Sequence, residues 1–441
     1  MSNTNPPSHP PRFVALQHRD FRLIWIGQLI SMVGTQMQML AVNWHIAEIL
    51  KHDTVNMILF GRPISLQADA LGLGALGLVR VIPILLAAPI GGMVADTFDR
   101  RLVLIWSQGA AAIFAGMLAA ITIAGRDSLI AIYLLTAVLS ATTAFDNPAR
   151  QSLIPNLVPS EHLTNAVSLN MLMWQFGRIV GPTLAGVMLG FVNIGSVYAV
   201  NSVSYLAVLV ALAMMSYRGL AVSSTASGVH WNSLKIGLRF VWRARLIRAT
   251  MLLDFGATFF SSSITMLPLI ARDVLHTDAI GFGILSTADA AGAILAGFIM
   301  SMRRDVYHQG MVLLVSVLIY GLATALFGIS TIFVLSYFFF ALTGAADTVS
   351  TVIRSSLRQL LTPDNLRGRM TAVNQVFFMG GPQLGELEAG IVASALGVPF
   401  AVFSGGVATI LLTLWVAWKF PHLRKYTMAQ FAETAAEMSG I

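Results

Sequence analysis

A few charged side chains stand inside long apolar segments, where charge is costly and therefore informative. Arg80 and Asp289 each lie near the middle of such a segment, and Glu386 and Glu388 share a third. Inserting a charge at that depth costs about 2.5–3.5 kcal/mol, so these groups usually face a partner or a water-filled cavity. A buried carboxyl group can take up and release a proton, and an arginine can hold an anion or neutralise an acid. The chemistry that these residues suggest is proton transfer and charge binding inside a membrane.

A purely structural interpretation of the same residues stays open. Arg80 and Asp289 could belong to fixed ion pairs between helices that take no part in transport. Glu386 and Glu388 are two residues apart, which turns them about 200° from each other on a helix, so both cannot face one cavity. We favour Glu386 as the cavity-facing acid because it falls at the position equivalent to Pro182 in an internal repeat of the chain.

The elements that must position these residues are segments of membrane-spanning length. The chain is 56% hydrophobic and 11% charged, against about 25% charged residues in soluble domains. A membrane helix needs about 20 mostly apolar residues. The sequence therefore predicts an all-α membrane protein with twelve transmembrane helices. The predicted spans lie near residues 20–46, 71–97, 101–124, 128–150, 166–190, 196–216, 247–271, 279–302, 309–328, 331–354, 369–394 and 397–419.

The positive charge is distributed as membrane topology requires. With the N-terminus inside, the inner loops hold most arginines and lysines, and the outer loops hold only Lys51, Arg62, Arg126 and Arg272. Because cytoplasmic loops retain positive charge, we expect a protein of the bacterial inner membrane with both termini in the cytoplasm. The net charge of +7 then needs no nucleic acid as a partner. The absence of cysteine from the sequence excludes disulfides, thiolate metal sites and cysteine nucleophiles.

The second half of the chain repeats the first at one offset. Arg150 recurs as Arg354, which is an offset of 354 − 150 = 204 residues, and Gly177, Gly181 and Gly186 recur at the same offset. Six spans per half give both copies the same orientation, with a substrate path between them near the bilayer midplane. The predicted parts are an N-terminal half at 1–217, a cytoplasmic linker at 218–246, a C-terminal half at 247–420 and a cytoplasmic tail at 421–441.

Two connecting segments leave alternatives open. From Trp231 the linker has apolar residues on one helical face and Lys235, Arg239 and Arg243 in a basic stripe. Such a helix is expected to lie on the anionic inner leaflet, although a regulatory partner is the alternative. The outer segment Lys51–Ala70 is longer than a simple hairpin and is either a small cap over the outer mouth or a tolerated loop.

The loop after the second span has an unusual set of small and charged residues. These residues are Gly92, Asp96, Arg100 and Arg101. The pattern G-x-x-x-D-x-x-x-R-R resembles the loop between helices 2 and 3 of the major facilitator superfamily, which usually has a glycine where Asp99 stands. We predict a gate in which Asp96 caps span 11 near Gly368–Thr371 and Arg100 pairs with an acid across the two halves. These contacts are expected only when the cytoplasmic side is shut, and Ser301 in place of the second-half acid makes the gate asymmetric.

Other polar residues are candidates for the gate or for the central path. Three acids nearer the inner side are interpreted as gate charges that pair with Arg150, Arg354 or the Arg100–Arg101 pair, with proton carriage as the alternative. These acids are Asp146, Asp254 and Asp347, and Asp254 is kept as a cavity candidate. Four polar residues of span 1 could line the path, namely Gln36, Gln38, Asn43 and His45, of which His45 is the weakest candidate.

The fifth span contains a glycine and proline pattern. Its members are Gly177, Gly181, Pro182 and Gly186. Glycines at this spacing form a flat face for close helix packing, and the structural interpretation assigns them that role alone. The pattern resembles G-x-x-x-G-P-x-x-G-G of drug:proton antiporters, with Ala185 replacing one glycine. The resemblance implies export.

A longer resemblance covers nearly the whole chain. Residues 144–150, 157–159, 165–166 and 359–369 are similar to the enterobactin-exporter-like branch of the superfamily, which includes siderophore and multidrug exporters. It implies a twelve-helix, alternating-access exporter of a small amphipathic solute in exchange for protons. We expect a monomer without metal or cofactor. The chain has no common hydrolase or nucleotide-binding motif, so we expect neither an enzyme nor an ATP-driven pump. An importer or uniporter, a lipid-handling protein and a non-transporting receptor are the alternatives.

Overall fold

The protein is a bundle of long helices. The computed structural model describes residues 13–59, 62–217, 238–262, 264–302, 306–363 and 366–427. Within these ranges, nine segments are long and apolar enough to cross a membrane. Three further helices, of 31, 29 and 30 residues, complete the set of twelve predicted from the sequence. Most of the linker with Trp231 and Lys235, the arginines at 303–304 and the tail at 428–441 lie outside the described residues, while residues 238–243 are helical.

The N-terminal half consists of six helices. Helix α1 packs against α5 and α6, α2 packs against α4, and α3 packs against α4 and α6. Apolar residues from all six helices contribute to the buried core of the half. The helices are α1 (Arg19–Ile49), α2 (Ala68–Thr97), α3 (Arg100–Ile123), α4 (Leu129–Leu153), α5 (Leu163–Phe191) and α6 (Ile194–Met214).

The C-terminal half has the same plan, with its first two spans interrupted. Helix α7 ends at Phe260, and its span continues through short helical turns at Ile264–Met266 and Leu267–Leu269 and a π-helical turn at Ile270–Val274. The eighth span is divided into α8a and α8b. The helices are α7 (Arg245–Phe260), α8a (Ala279–Leu285), α8b (Ala288–Met302), α9 (Gln309–Ile329), α10 (Phe333–Leu361), α11 (Arg367–Leu396), α12 (Val398–Lys419) and the short α13 (Pro421–Lys425).

Side-chain caps fix several of the helix starts. Asp99 accepts a hydrogen bond from the backbone N–H of Arg101 at the start of α3, at 2.8 Å. Ser128, Asn193 and Asp278 cap α4, α6 and α8a in the same way. A cap satisfies one of the four N–H groups that a helix start leaves without a partner, which matters most next to an apolar medium. These caps therefore allow the short turns between neighbouring spans.

The outer segment between α1 and α2 forms a β-hairpin. Strands β1 (Thr54–Leu59) and β2 (Arg62–Gln67) pair antiparallel, with Thr54 opposite Gln67. Strand β2 lies against both α2 and α11, so the hairpin contacts both halves. Of the two alternatives for this segment, a structured element over the half boundary is the one observed.

The internal repeat is visible in how the glycines pack. A Cβ added to Gly177 or Gly181 of α5 would collide with side-chain atoms of Met32 and Gln36 on α1. At the same offset of 204, Gly381 and Gly385 of α11 lie against α7, where a Cβ on Gly385 would be 2.1 Å from the Phe259 carbonyl oxygen. In each half, these glycines let the fifth helix approach the first closely.

The two halves contact each other at one end of the bundle. Gly74 of α2 meets Gly390 of α11, where a Cβ on Gly74 would lie 2.8 Å from the Gly390 Cα. Gly186 of α5 meets Gly283 of α8a, with the corresponding distance 2.7 Å. We call the end that contains these contacts the closed end, and the end at which α1 begins and α2 finishes the open end.

Among the described residues, the open end has no comparable contact between the halves. Met93 in the last turns of α2 and Phe98, which follows the helix, are 60% and 61% exposed there. Within the described residues, no hydrogen bond or ion pair joins the halves between the level of Arg178 and this end. The two halves are therefore in contact at the closed end and apart at the open end.

Candidate functional site

A buried polar cluster lies between the halves towards the closed end. Arg80 of α2 donates a hydrogen bond through Nη2 to the Asn43 Oδ1 of α1 at 2.8 Å. Glu386 of α11, from the other half, is close enough for its charge to interact with that of Arg80. Arg80, Asn43 and Glu386 are 8%, 4% and 4% exposed, whereas Glu388 is half-buried. Of the two glutamates, Glu386 is therefore the one enclosed between the halves.

The absence of a side chain at Gly77 makes room for this cluster. A Cβ there would lie 3.0 Å from the Glu386 Oε2 and 2.5 Å from the Gln383 carbonyl oxygen. Three buried polar atoms of the cluster have no hydrogen-bond partner among the described residues, and they are the Arg80 Nη1, the Gln383 Oε1 and the Glu386 Oε2. Unpaired buried polar atoms are costly, so a cluster that retains three of them is a candidate site for a proton or a polar ligand.

A second pair of opposite charges also crosses the half boundary. Arg178 of α5 forms an ion pair with Asp289 at the start of α8b. Their side chains are 36% and 19% exposed, so the pair is reachable from the space between the halves. Gly344 of α10 leaves room for Asp289, because a Cβ there would lie 2.7 Å from the Asp289 Oδ1.

This pair bears on the structural interpretation of Asp289, in which it belongs to an ion pair between helices. The partner is Arg178 of the other half and not Arg80. The sequence does not pair the two residues, since their contact depends on how α5 and α8b meet across the boundary.

The three acids that were interpreted as gate charges form their ion pairs within their own halves. Asp146 pairs with Arg150 one turn along α4 and accepts a hydrogen bond from the Gln108 Nε2 at 2.7 Å. In the other half, Arg354 forms an ion pair with Asp254 of α7 and contacts Asp347 at 3.3 Å. Arg150 and Arg354 thus anchor equivalent charge clusters towards the open end. Neither cluster joins the two halves in this conformation.

The loop between α2 and α3 is in an open arrangement. Asp96 is exposed, and Arg100 donates to the Ser152 carbonyl oxygen at 3.3 Å within its own half. The side chains of residues 367–369, which include much of the expected partner of Asp96, lie outside the described residues. The gate contacts, expected only when this side is shut, stay a prediction.

Near the loop between α2 and α3, the close helix contact is made by Gly91 and not by Gly92 of the loop pattern. A Cβ at Gly92 would meet nothing within 4 Å, whereas one at Gly91 would lie 2.1 Å from the Ala144 carbonyl oxygen. Gly92 of the loop pattern therefore makes no close helix contact in this conformation, because the helical rotation of one residue turns Gly91 towards α4 instead. Arg101 donates to the Ala213 carbonyl oxygen at the end of α6, at 3.1 Å.

Gln36 of α1, which was also predicted to line the central path, is half-buried against Gly181 of α5.

Arg272, which was expected only as an outer-loop residue, joins the halves at the closed end. Arg272, in the π-helical turn of the C-terminal half, donates to the Ala47 carbonyl oxygen of α1 at 2.8 Å and to the Asp69 Oδ2 of α2 at 2.7 Å. It also binds Asp273 within its own half, at 2.7 Å. We call Arg272, Ala47 and Asp69 the clasp. The only sequence feature that points to this contact is the adjacent Arg272-Asp273 pair at the end of a span. The partners in the other half, Ala47 and Asp69, are far away in the sequence.

His45 is part of a buried hydrogen-bonded cluster with Asp127 and Tyr198. Its Nε2 lies 2.6 Å from the Asp127 Oδ2, and its Nδ1 lies 3.1 Å from the Tyr198 hydroxyl oxygen. His45 is 3% exposed and Tyr198 is fully buried. The three residues fasten α1, the α3–α4 connection and α6 together near the closed end.

Comparison with known proteins agrees with this architecture. A family model described as transmembrane secretion effector matches residues 11–436. The enterobactin exporter EntS of Salmonella typhi is 24% identical over 93% of this chain and 94% of its own length. The enterobactin exporter EntS of Escherichia coli O127:H6 is 23% identical, covering 95% and 96% of the two chains.

Solved structures of transporters share the fold. A bacterial homologue of the human lysosomal transporter Spinster, in an inward-facing and unoccupied conformation, aligns with a TM-score of 0.67 and 11% identity over 98% of this chain and 99% of its own. A POT family transporter in complex with 5-aminolevulinic acid gives 0.70 and 10%, over 92% and 96%. The nucleoside transporter NupG gives 0.68 and 14%, over 92% and 100%.

Proposed function

Since the chain belongs to the transmembrane secretion effector family of major facilitator transporters, we propose that it exports a small amphipathic solute across the bacterial inner membrane in exchange for protons. The observation that carries the proposal is the presence of two pairs of opposite charges across the half boundary, Arg80 with Glu386 and Arg178 with Asp289. In a transporter whose halves move relative to each other, such pairs must be broken or neutralised during each cycle. No covalent chemistry is part of the proposal.

Alternating access is supported by the difference between the two ends. The arginine-rich loops that contain Arg100 and Arg150 lie at the open end, and basic loops remain in the cytoplasm. In that orientation the site between the halves communicates with the cytoplasm, where an exported solute must be loaded. The clasp and the glycine contacts keep the opposite side shut. Export then requires the open end to close and the closed end to separate.

Proton coupling is supported by the environment of Glu386. Its carboxylate is buried with one oxygen that has no hydrogen-bond partner among the described residues, so a proton can be added there without breaking a bond. Protonation removes the attraction to Arg80 and lowers the cost of separating α2 from α11. Asp289 acts in the same way on α5 and α8b, through Arg178. The two acids thus link proton binding to the separation of the halves.

The substrate class is proposed from the relatives and from the charges. The relatives are enterobactin exporters, so a siderophore is the first class of solute to test. Two arginines of the half boundary, Arg80 and Arg178, suit an acidic or otherwise electron-rich solute. Lipophilic drugs are the second class, because the glycine and proline pattern of α5 resembles that of drug:proton antiporters.

The test uses inside-out vesicles with an acidic interior and a pH-sensitive dye. Enterobactin and a panel of lipophilic drugs are added in turn, and proton efflux and solute uptake are measured together. Wild-type vesicles are expected to release protons when a transported solute is added. Glu386→Gln and Asp289→Asn are expected to abolish this release.

Glu388→Gln is the matched control, because it removes an acid two residues away that lies outside the buried cluster. It is expected to retain proton release at the wild-type level. Uptake of solute by the wild type without proton release would refute coupling and indicate a uniporter. Equal loss in Glu388→Gln and Glu386→Gln would refute the specific role of Glu386.

A further inference from the structure

A long apolar groove runs along the outside of the N-terminal half, between α5 and α6. Both helices pack on α1 but make few contacts with each other, which leaves α1 as the floor of the groove. Gly27 and Gly34 bring α6 close to α1, since a Cβ on Gly27 would lie 2.9 Å from the Ala207 carbonyl oxygen. Gly177 and Gly181 bring α5 equally close. The result is a groove of about 900 Å³, at the upper end of the range for small-molecule sites.

The groove matches a hydrocarbon chain in polarity and length. Ile30 on its floor and Val203 and Val210 on its α6 wall are exposed, and Ser204 is the one hydroxyl-bearing residue in the lining. From Leu23 to Met37 it follows 15 residues of α1, which is about 21 Å for 14 steps of ~1.5 Å. Half of a bilayer core is about 15 Å deep, so the groove can accommodate an acyl tail along its whole length.

Positive charge is concentrated where the groove reaches the open end. Arg19 lies on the same helical stripe of α1 as Leu23, Ile26 and Ile30, and its side chain is exposed. Its Nη1 donates to the Ser216 Oγ at 2.9 Å, which holds the guanidinium beside the end of α6.

Two more arginines stand beside Arg19. Arg22 is exposed one turn along α1, and Arg101 donates to the Ala213 carbonyl oxygen at the end of α6. The neighbouring acid, Asp20, accepts hydrogen bonds from the backbone N–H groups of Ser216 and Tyr217. Two carboxylates accompany these three guanidinium groups among the described residues, Asp20 and the Asp99 that caps α3, and both accept hydrogen bonds from backbone N–H groups. The local charge is therefore positive.

We propose that this groove is a specific binding site for an anionic phospholipid. One acyl tail occupies the groove against α1, and the phosphate lies against Arg19 and Arg22. The site is separate from the boundary between the halves, because all of the residues that line the groove belong to the N-terminal half. Its α5 wall, through Leu184 and Met188, belongs to the helix that carries Arg178 and Gly186 to the other half, so the lipid braces that helix from behind.

Native mass spectrometry of the detergent-purified protein tests the site. The protein is mixed with phosphatidylglycerol or with phosphatidylcholine of identical tails, and the fraction that retains one lipid is measured. The wild type is expected to retain phosphatidylglycerol preferentially. Arg19→Gln combined with Arg22→Gln is expected to lower the affinity for phosphatidylglycerol about 30-fold, since each basic residue near an anionic lipid contributes about a five-fold factor. Val203→Trp, which fills the groove from an exposed position, is expected to lower retention of both lipids.

Two variants serve as controls. Arg245→Gln removes an exposed arginine at the same end of the C-terminal half, and Leu295→Trp adds the same bulk at an exposed position of α8b. Both are expected to retain lipid as the wild type does. Equal retention of the two lipids by the wild type, or equal behaviour of Val203→Trp and Leu295→Trp, would overturn the proposal. A lipid-free dimer lost in Val203→Trp would overturn it in favour of a second copy of this chain. None of these results depends on whether the protein exports anything.

Discussion

Removing the Arg272 side chain is expected to release the closed end. The guanidinium makes two hydrogen bonds across the half boundary, one to the Ala47 carbonyl oxygen and one to the carboxylate of Asp69. Hydrogen bonds to charged groups contribute about 1.5–3 kcal/mol each. The Arg272 and Asp69 side chains are 14% and 11% exposed, so partial replacement by water reduces the sum to about 2–4 kcal/mol.

This free energy translates into a large change in population. A loss of about 2–4 kcal/mol shifts the equilibrium between the two end states about 30- to 1,000-fold. If the closed end is shut in about 99 of 100 molecules, Arg272→Ala brings the ratio to between about 3:1 and 1:10. A change of that size is well within the range of distance measurements.

The assay measures the distance between two spin labels by double electron–electron resonance. The sequence has no cysteine, so labels can be introduced without a background. Arg126→Cys with Thr331→Cys reports on the closed end, and Thr97→Cys with Ser301→Cys reports on the open end. Arg272→Ala is expected to lengthen the first distance and shorten the second.

Two carboxylate variants separate the clasp from a general loss of charge. Asp69→Asn weakens the bond across the boundary and is expected to reproduce the effect of Arg272→Ala. Asp273→Asn removes the partner of Arg272 within the same half and is expected to leave the distances unchanged. Unchanged distances in both Arg272→Ala and Asp69→Asn would refute the reasoning, as would an identical response to Asp273→Asn.

Three further substitutions test other parts of the structure. Gly283→Leu is expected to hold the closed end apart in the same distance assay, because its Cβ would lie 2.7 Å from the Gly186 Cα; an unchanged distance would contradict this. His45→Phe leaves the buried Tyr198 hydroxyl group without its partner and is expected to lower the free energy of unfolding by about 1–3 kcal/mol, measured by thermal unfolding in detergent. Arg354→Gln leaves a buried aspartate unpaired and is expected to cost about 3–5 kcal/mol, seen as a lower yield of folded protein in size-exclusion chromatography.

Local patterns predicted the framework of the molecule well. Apolar length predicted twelve helices, and the offset of 204 residues predicted that Gly381 and Gly385 would pack as Gly177 and Gly181 do. The same register put Glu386 on the glycine face of α11, where it is buried against Gly77. These features depend on helical periodicity and on the repeat, which are both readable from one sequence.

Contacts between distant segments could not be obtained in this way. Arg178 pairs with Asp289, and Arg272 reaches Asp69, only because of the angle at which the halves meet. The partners are 111 and 203 residues apart, and no periodic pattern relates them. The break between α8a and α8b was also missed, because it falls at Ser286 and Thr287, which membrane helices tolerate, and no proline marks it.

The backbone contacts at Gly74, Gly390, Gly186 and Gly283 have a consequence for the speed of the transport cycle. Since the helices meet there through main chain, separating them does not require interlocked side chains to be withdrawn, and mechanical friction at the boundary is expected to be low. The polar clasp and the ion pairs then set the equilibrium, while the glycines keep the barrier small. The rate of the conformational change and its equilibrium thus depend on different residues, so that each can be altered without the other.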